Sequence, residues 1–203
     1  MFAQATRQGL NTALNEATFL NLRVNVEQES VDLLFSILTL PPSGPEPSDP
    51  RIMIRLSRVG RIAVSLRAGL WNDEDAEVAS IGMADLSDTV RSFGGVSIYG
   101  ADFFDASEDS WTGWAGRLSL DEALGQGRRE HWIELFQEGG AVRHLDIRTW
   151  FDDFTIYDME RRIVSTDDFL AGGDRWWDAL HAGDERVQGH GIGVLGSNSP
   201  ARE

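Results

Sequence analysis

Alternation of apolar and polar residues in three segments limits the fold of this chain more than any other feature of its sequence. The segments cover residues 20–37, 51–67 and 130–151. Successive side chains of a β-strand point to opposite faces, so a period of two indicates a strand with one buried face. A short turn-forming stretch interrupts each segment, which predicts three antiparallel hairpins. We therefore expect a mainly β, β-rich α+β fold: an antiparallel curved sheet or β-sandwich built from hairpins.

The first segment predicts a hairpin with one wholly apolar face. If residues 27–30 form the loop, Val24 lies opposite Leu33 and Leu22 lies opposite Phe35. A register shift of one residue would expose these apolar side chains to water. The pattern therefore strongly specifies which side chains share a face. These four side chains are the predicted core, and the polar residues between them are expected to face solvent.

The second segment predicts a hairpin with an apolar face and a basic face. Ile54 on its first strand is expected to face Val64 on its second strand. The other face carries a basic stripe of four arginines: Arg51, Arg55, Arg61 and Arg67. We expect this stripe to pair with the acidic loop at residues 73–77. If it does not, Arg55 and Arg61 are candidate binding residues for an anion.

The third segment predicts a hairpin around Gly139-Gly140-Ala141. The register that pairs Glu138 with Val142 places Glu134 directly opposite Asp146 on the polar face. Two carboxylates in that position destabilise a sheet unless a nearby cation compensates them.

The polar face of this third hairpin holds four candidate catalytic residues, which are Glu134, His144, Asp146 and Arg148. A carboxylate or an imidazole can exchange protons, and an arginine can hold an anion. Trp132 and Trp150 flank the four residues. Trp111 and Trp114 lie in the predicted loop at residues 105–116. All four tryptophans are candidate binding residues. The alternative is that this face only packs or remains ordinary mixed surface.

The complete absence of lysine and cysteine excludes several kinds of chemistry. All 18 basic residues are arginine. The chain therefore has no Schiff-base lysine, no phosphate-loop lysine, no thiol nucleophile and no thiolate metal ligand. The four histidines match no metal-binding spacing. We expect neither a cofactor nor a metal ion.

The net charge of −15 restricts the partners that we expect. Phosphate backbones would repel such a surface, which disfavours nucleic acid, and a basic protein is the expected partner. No stretch reaches the ~20 apolar residues of a membrane span, so we expect no membrane association. Together with the lack of an apolar leader, this predicts a cytoplasmic protein. A homo-oligomer remains open.

Helix signals occur at the N-terminus, at residues 84–92 and at residues 166–181. Ser165 or Thr166 is expected to cap the last helix, and Gly172-Gly173 is expected to interrupt it. We expect one β-rich domain over residues 1–182, followed by a flexible glycine-rich tail over residues 183–203.

The sequence contains no recognised catalytic motif, so its function is predicted from charge and surface chemistry. The first prediction is a non-catalytic interaction protein with an acidic surface, such as an inhibitor or immunity-type protein. One alternative is a carbohydrate or small-molecule binding module that uses exposed tryptophans. The other alternative is a hydrolase that uses the four candidate catalytic residues.

Overall fold

A computed structural model describes residues 2–69, 73, 75–98, 100–108, 113–114, 116–139, 142–190 and 192. Its helices are α1 (Gln4–Leu14), α2 (Leu86–Arg91) and α3 (Thr166–Ala182). Its strands are β1 (Thr18–Asn25), β2 (Ser30–Ser36), β3 (Arg51–Ser57), β4 (Arg61–Ala68), β5 (Glu77–Val78), β6 (Gly100–Asp105), β7 (Leu120–Ala123), β8 (His131–Gly139), β9 (Arg143–Phe151), β10 (Asp153–Asp158) and β11 (Ile163–Val164). The fold is mainly β, which confirms the predicted β-rich α+β class.

The strands form two antiparallel sheets that share one core. The first sheet has the order β1-β2-β3-β10-β11, and the second has the order β5-β4-β9-β8-β6, with β7 also pairing with β4. Phe35 and Ile54 from the first sheet belong to the same buried cluster as Val64 and Ile133 from the second. Each sheet therefore has an inner face in the core and an outer face that points away from it.

The first predicted hairpin exists, but its register differs from the expected one by two residues. Leu22 pairs with Leu33 in the structure, and Val24 is only partly buried. A shift of two keeps every side chain on its own face, so Leu22 and Leu33 are core residues as predicted. An irregularity beside Phe19 lets that ring join the core, where it stacks on Phe35 with ring centres 5.1 Å apart.

The second predicted hairpin is wrong, because β3 and β4 lie in different sheets. Val59, in the connection between them, is fully buried, and its N–H donates to the carbonyl of Glu29. The next N–H, of Gly60, donates to the carbonyl of Trp150. The connection is thus held by both sheets and carries the chain across the core, so Ile54 and Val64 are both buried but on opposite walls.

Helix α3 runs without a break through Gly172-Gly173, where an interruption was expected. A Cβ built on Gly173 would lie 2.7 Å from the Cα of Ala13 in α1, so the missing side chain lets the two helices approach closely. Ser165 caps α3 as predicted, since its side chain accepts a hydrogen bond from the Asp168 N–H. In the described part of the chain, no helix is long and apolar enough to cross a membrane.

The segment that the sequence predicts as the start of a flexible tail is packed. Residues 185–187 form a short 3-10 helix, and Val187 is buried in a cluster with Trp176. The imidazole of His190 lies 2.9 Å from a carboxylate oxygen of Glu46. These contacts attach residues 185–190 to α3 and to the connection between β2 and β3, which contains Glu46.

Candidate functional site

The candidate site lies on the outer face of the second sheet, around β8 and β9. His144, Asp146 and Arg148 alternate along β9, and Glu134 pairs with Arg148 from β8. All four candidate catalytic residues therefore share one face. The expected opposition of Glu134 and Asp146 is wrong by two residues, because β8 continues to Gly139 and pairs it with Arg143. The register places a cation beside Glu134 in place of a second carboxylate, which removes the like-charge conflict.

Three tryptophan rings surround the guanidinium of Arg148. Its central carbon lies 4.0 Å from the ring centre of Trp132, 4.9 Å from that of Trp114 and 5.8 Å from that of Trp150. Its Nη2 also donates to Glu134 Oε2 over 2.7 Å. Cation–π contacts gain strength when the cation is removed from water, and Arg148 is only 4% exposed. Arg148 is therefore a fixed part of this face rather than a mobile surface residue.

The tryptophans of this face are buried, which corrects the expectation that Trp114 is exposed. Trp114, Trp132 and Trp150 form one cluster with Ala63, and Phe104 packs against it. Trp132 also stacks on Phe104 with ring centres 3.9 Å apart. The rings therefore pack against one another and against Arg148. The fourth predicted binding tryptophan, Trp111, lies outside the described residues.

His144 is fully buried, and Arg67 on β4 pairs with it across the sheet. Burial lowers the pKa of His144 below its ordinary value, and the guanidinium of Arg67 lowers it further. The nearby carboxylate of Asp146 opposes this effect without reversing it. His144 is thus held in its neutral form.

Asp146 and Arg67 form a largely buried ion pair. Arg67 Nη2 lies 2.9 Å from Asp146 Oδ2, and the two side chains are 7% and 15% exposed, respectively. Burial raises the pKa of Asp146, and the bond from Arg67 opposes the rise. Burial also raises the pKa of Glu134, against the opposing charge of Arg148. Both carboxyl groups are therefore easier to protonate than exposed ones.

A pocket of about 170 Å³ opens beside these ion pairs. We call it the charged pocket, and its lining residues are Ser65, Arg67, Gly113, Trp114, Arg117, Glu134 and Asp146. Within the described part of the chain, the buried Oγ of Ser65 and the buried Nε and Nη1 of Arg67 have no hydrogen-bond partner. His144 is not among the lining residues.

Sequence reasoning missed Ser65 and Arg117 as parts of a site, and it assigned Arg67 to another surface. Ser65 and Arg67 alternate with core residues on β4, so the sequence predicts that they share a face. It does not predict their position beside β9, because β4 was expected to pair with β3.

Each arginine of the predicted basic stripe forms an ion pair, but with carboxylates outside the acidic loop at residues 73–77. The pairs are Arg51–Asp49, Arg55–Asp32, Arg61–Asp121 and Arg67–Asp146. The four do not form one stripe, because β3 and β4 belong to different sheets. The two candidate binding residues, Arg55 and Arg61, thus lie on different outer faces.

We expect acidification from about pH 7.5 to about pH 5 to destabilise the protein through His144. Its pKa in the folded chain lies below 6.5, so the unfolded chain binds a proton that the folded chain does not. The stability conferred by the neutral ring is complete above the unfolded pKa. It is lost as the pH falls towards the folded pKa, at up to about 1.4 kcal/mol per pH unit.

Thermal or urea melts across this pH range test the prediction with His144→Gln, which should reduce the pH dependence. The control His181→Gln changes an exposed histidine and should retain it. Identical pH profiles for the wild type and His144→Gln would contradict the prediction.

Within the described ranges, no group of three or more His, Asp or Glu residues could hold a metal ion. Comparison of the chain with known protein families, with curated proteins and with solved structures found no match.

Proposed function

We propose that this protein is a non-catalytic binding protein that holds a small organic monoanion in the charged pocket. The observation that carries the proposal is Arg67, whose buried side chain lines the pocket and retains two N–H groups without a partner among the described residues. Leaving a buried donor unsatisfied costs about 1–3 kcal/mol. A bound oxygen atom would recover that free energy.

The donors of the pocket suit a carboxylate. A guanidinium presents its N–H groups in a planar fork that matches the two oxygens of a carboxylate. The two free donors of Arg67, Nε and Nη1, lie on different edges of its guanidinium and cannot form that fork together, so Arg67 and the buried Ser65 hydroxyl supply single hydrogen bonds and the fork is left to Arg117. The half-buried Arg117 lines the same pocket.

The charge balance of the pocket favours a single negative charge. Asp146 is matched by Arg67, and Glu134 is matched by Arg148. Arg117 makes no ion pair with any described residue, so it leaves one positive charge in excess. A dianion would meet repulsion from Glu134 and Asp146, since both line the pocket.

The size of the pocket limits the ligand to a few heavy atoms. A water molecule occupies ≈ 30 Å³ in the liquid, and the pocket measures about 170 Å³. A short carboxylic acid fits this space. A neighbouring hydroxyl on that acid could donate to Glu134 or Asp146, so lactate is a better model ligand than acetate.

Binding is preferred over hydrolysis because the candidate histidine is out of reach of the pocket and both candidate carboxylates are engaged by arginines. His144 is fully buried and does not line the pocket. Arg148 is engaged by Glu134 and by the tryptophan rings. Such an arrangement is rigid and suits recognition, whereas proton transfer requires a base within hydrogen-bond reach of the substrate.

The earlier prediction of an interaction protein with a basic partner remains a prediction, as do the cytoplasmic location and any homo-oligomer. The carbohydrate alternative depends on exposed rings. Trp114, Trp132 and Trp150 are buried, so none of these three can stack on a sugar in the structure as described.

The test is the affinity of the purified protein for lactate, acetate, phosphate and glucose, measured by calorimetry and by ligand-dependent thermal shift. We expect lactate to bind more tightly than acetate, and phosphate and glucose to bind more weakly than either. Arg117→Gln should weaken lactate binding at least about tenfold, since hydrogen bonds to charged groups contribute about 1.5–3 kcal/mol.

The matched control is Arg128→Gln, at an exposed arginine that does not line the pocket. It should bind lactate like the wild type. Tighter binding of glucose than of lactate would replace the proposal with the carbohydrate alternative. Equal lactate affinity in the wild type and in Arg117→Gln would also overturn it.

A further inference from the structure

The outer face of the first sheet carries an apolar row that crosses four neighbouring strands. Leu34 on β2 pairs with Met53 on β3, Met53 pairs with Tyr157 on β10, and Tyr157 pairs with Ile163 on β11. The solvated face of an antiparallel sheet is normally polar. Ile163 is nevertheless 70% exposed, which is high for a large aliphatic side chain.

Two adjoining cavities, of about 190 Å³ and about 470 Å³, lie along this row. They share five lining residues, which are Arg23, Asp32, Leu34, Met53 and Met159. Because the cavities share so much of their lining, we treat them as one groove and call it the outer groove. The larger cavity extends to Tyr157 and to Arg161 in the β10–β11 turn.

The outer groove carries an excess of positive charge, although the whole chain has a net charge of −15. Arg55 forms two hydrogen bonds with Asp32, of 2.7 and 2.9 Å, and so neutralises it. Asp158 accepts a hydrogen bond from Arg162 at 2.7 Å. Both carboxylates of the groove are thus already engaged.

Arg23 and Arg161 are the arginines of the groove whose charge is not neutralised. Neither side chain forms an ion pair or a hydrogen bond within the part of the chain that the structure describes. Arg23 is on β1 and Arg161 follows β10, so β2 and β3 lie between them. At about 4.8 Å per strand, the two guanidinium groups stand on strands some 14 Å apart.

We propose that the outer groove is a second binding site, for an amphipathic organic anion with an alkyl or aryl body and a carboxylate head. The apolar row provides the contact for the body, and its methionines can adapt to an irregular shape. Arg161 provides the contact for the carboxylate, because it lies with Tyr157 in the part of the groove that only the larger cavity reaches. The distant Arg23 lies beyond the Debye length of ≈ 8 Å at physiological salt and contributes little.

The glycine variant at Arg161 gives a sharp test, because it removes the charge without stressing the turn. Arg161 has a φ of 64°, in the left-handed region that glycine adopts without steric cost. Arg161→Gly should therefore fold at least as well as the wild type. Any loss of binding then reports the missing guanidinium and not a damaged fold.

The measurement is calorimetric titration with decanoate, at concentrations below those at which it forms micelles. We expect Arg161→Gly to weaken decanoate binding about tenfold, as for one lost charge-assisted hydrogen bond. Met53→Glu, which puts a carboxylate in the middle of the apolar row, should abolish it. Arg128→Gln, at an exposed arginine that lines neither cavity, is the matched control and should bind decanoate like the wild type.

Two probes separate this site from the charged pocket. Decanol, which has the same body without the carboxylate, should bind at least about tenfold more weakly than decanoate. Arg117→Gln should leave decanoate binding unchanged, because Arg117 is on the other sheet's outer face.

Equal binding of decanol and decanoate, no binding of decanoate, or wild-type affinity in Arg161→Gly would each overturn the proposal. Dimerisation that Ile163→Glu abolishes would also overturn it, by making a second copy of the chain the occupant.

Discussion

Replacing Phe35 by alanine is expected to lower the free energy of unfolding by about 3–5 kcal/mol, the usual cost of truncating a buried phenylalanine. Phe35 is fully buried in the core that the two sheets share. Its ring stacks on Phe19, and its strand neighbour on the other side is Ile52. The deletion therefore leaves a cavity that two rigid sheets cannot easily close. The loss is a large part of a typical stability of about 5–15 kcal/mol.

Urea denaturation of the wild type and of Phe35→Ala measures this difference directly. The matched control is Arg23→Gln on the neighbouring strand, because Arg23 is exposed on the opposite face of the same sheet. It should change the free energy of unfolding by less than about 0.5 kcal/mol. Similar losses in the two variants would mean that the inner and outer faces of the first sheet are assigned wrongly.

The alternation of side chains predicted which face each residue occupies, but not which residue it meets. In both confirmed hairpins the observed register lies two residues from the predicted one. A two-residue shift leaves the whole apolar set on the same face, so periodicity alone cannot detect it. Turn geometry fixes the register, and here non-glycine residues such as Glu29 and Val142 adopt positive φ in the turns.

The prediction that β3 pairs with β4 was wrong for a different reason. Two adjacent alternating segments with a short connection look alike whether they form a hairpin or lie on opposite walls of a core. In this chain Val59 distinguishes the two arrangements. It is buried in the core and its N–H donates to the Glu29 carbonyl, so the connection crosses the core and does not form a hairpin turn. Such contacts between residues that are distant in sequence leave no periodic signal.

This failure explains what could be predicted of the candidate site. Glu134 and Asp146 were found because one hairpin brings both to the same face. Ser65 and Arg67 come from β4, which was assigned to the wrong neighbour, and Arg117 comes from an irregular loop. The residues that complete the charged pocket are therefore those whose placement depends on contacts across the second sheet.

Arg148→Ala is the other substitution with a large expected effect, about 3–5 kcal/mol of unfolding free energy at neutral pH. It removes the cation that lies 2.7 Å from Glu134 and that stacks on three tryptophans. Glu134 would then be a largely buried carboxylate without its compensating charge. The tryptophan rings would also face an empty space where the guanidinium had been.

The pH dependence of this loss identifies its electrostatic part. Burial and the nearby Asp146 and Asp102 raise the pKa of Glu134, and Arg148 opposes them, so removing Arg148 raises the pKa further. A carboxyl whose folded pKa exceeds the unfolded one destabilises progressively as the pH rises through that interval. Arg148→Ala should therefore cost more at about pH 7 than at about pH 4, where the carboxyl is mostly protonated in both states. The double variant Arg148→Ala/Glu134→Gln should recover part of the loss at neutral pH and lack the added pH dependence. An equal loss at both pH values would show that Arg148 stabilises this face by packing alone.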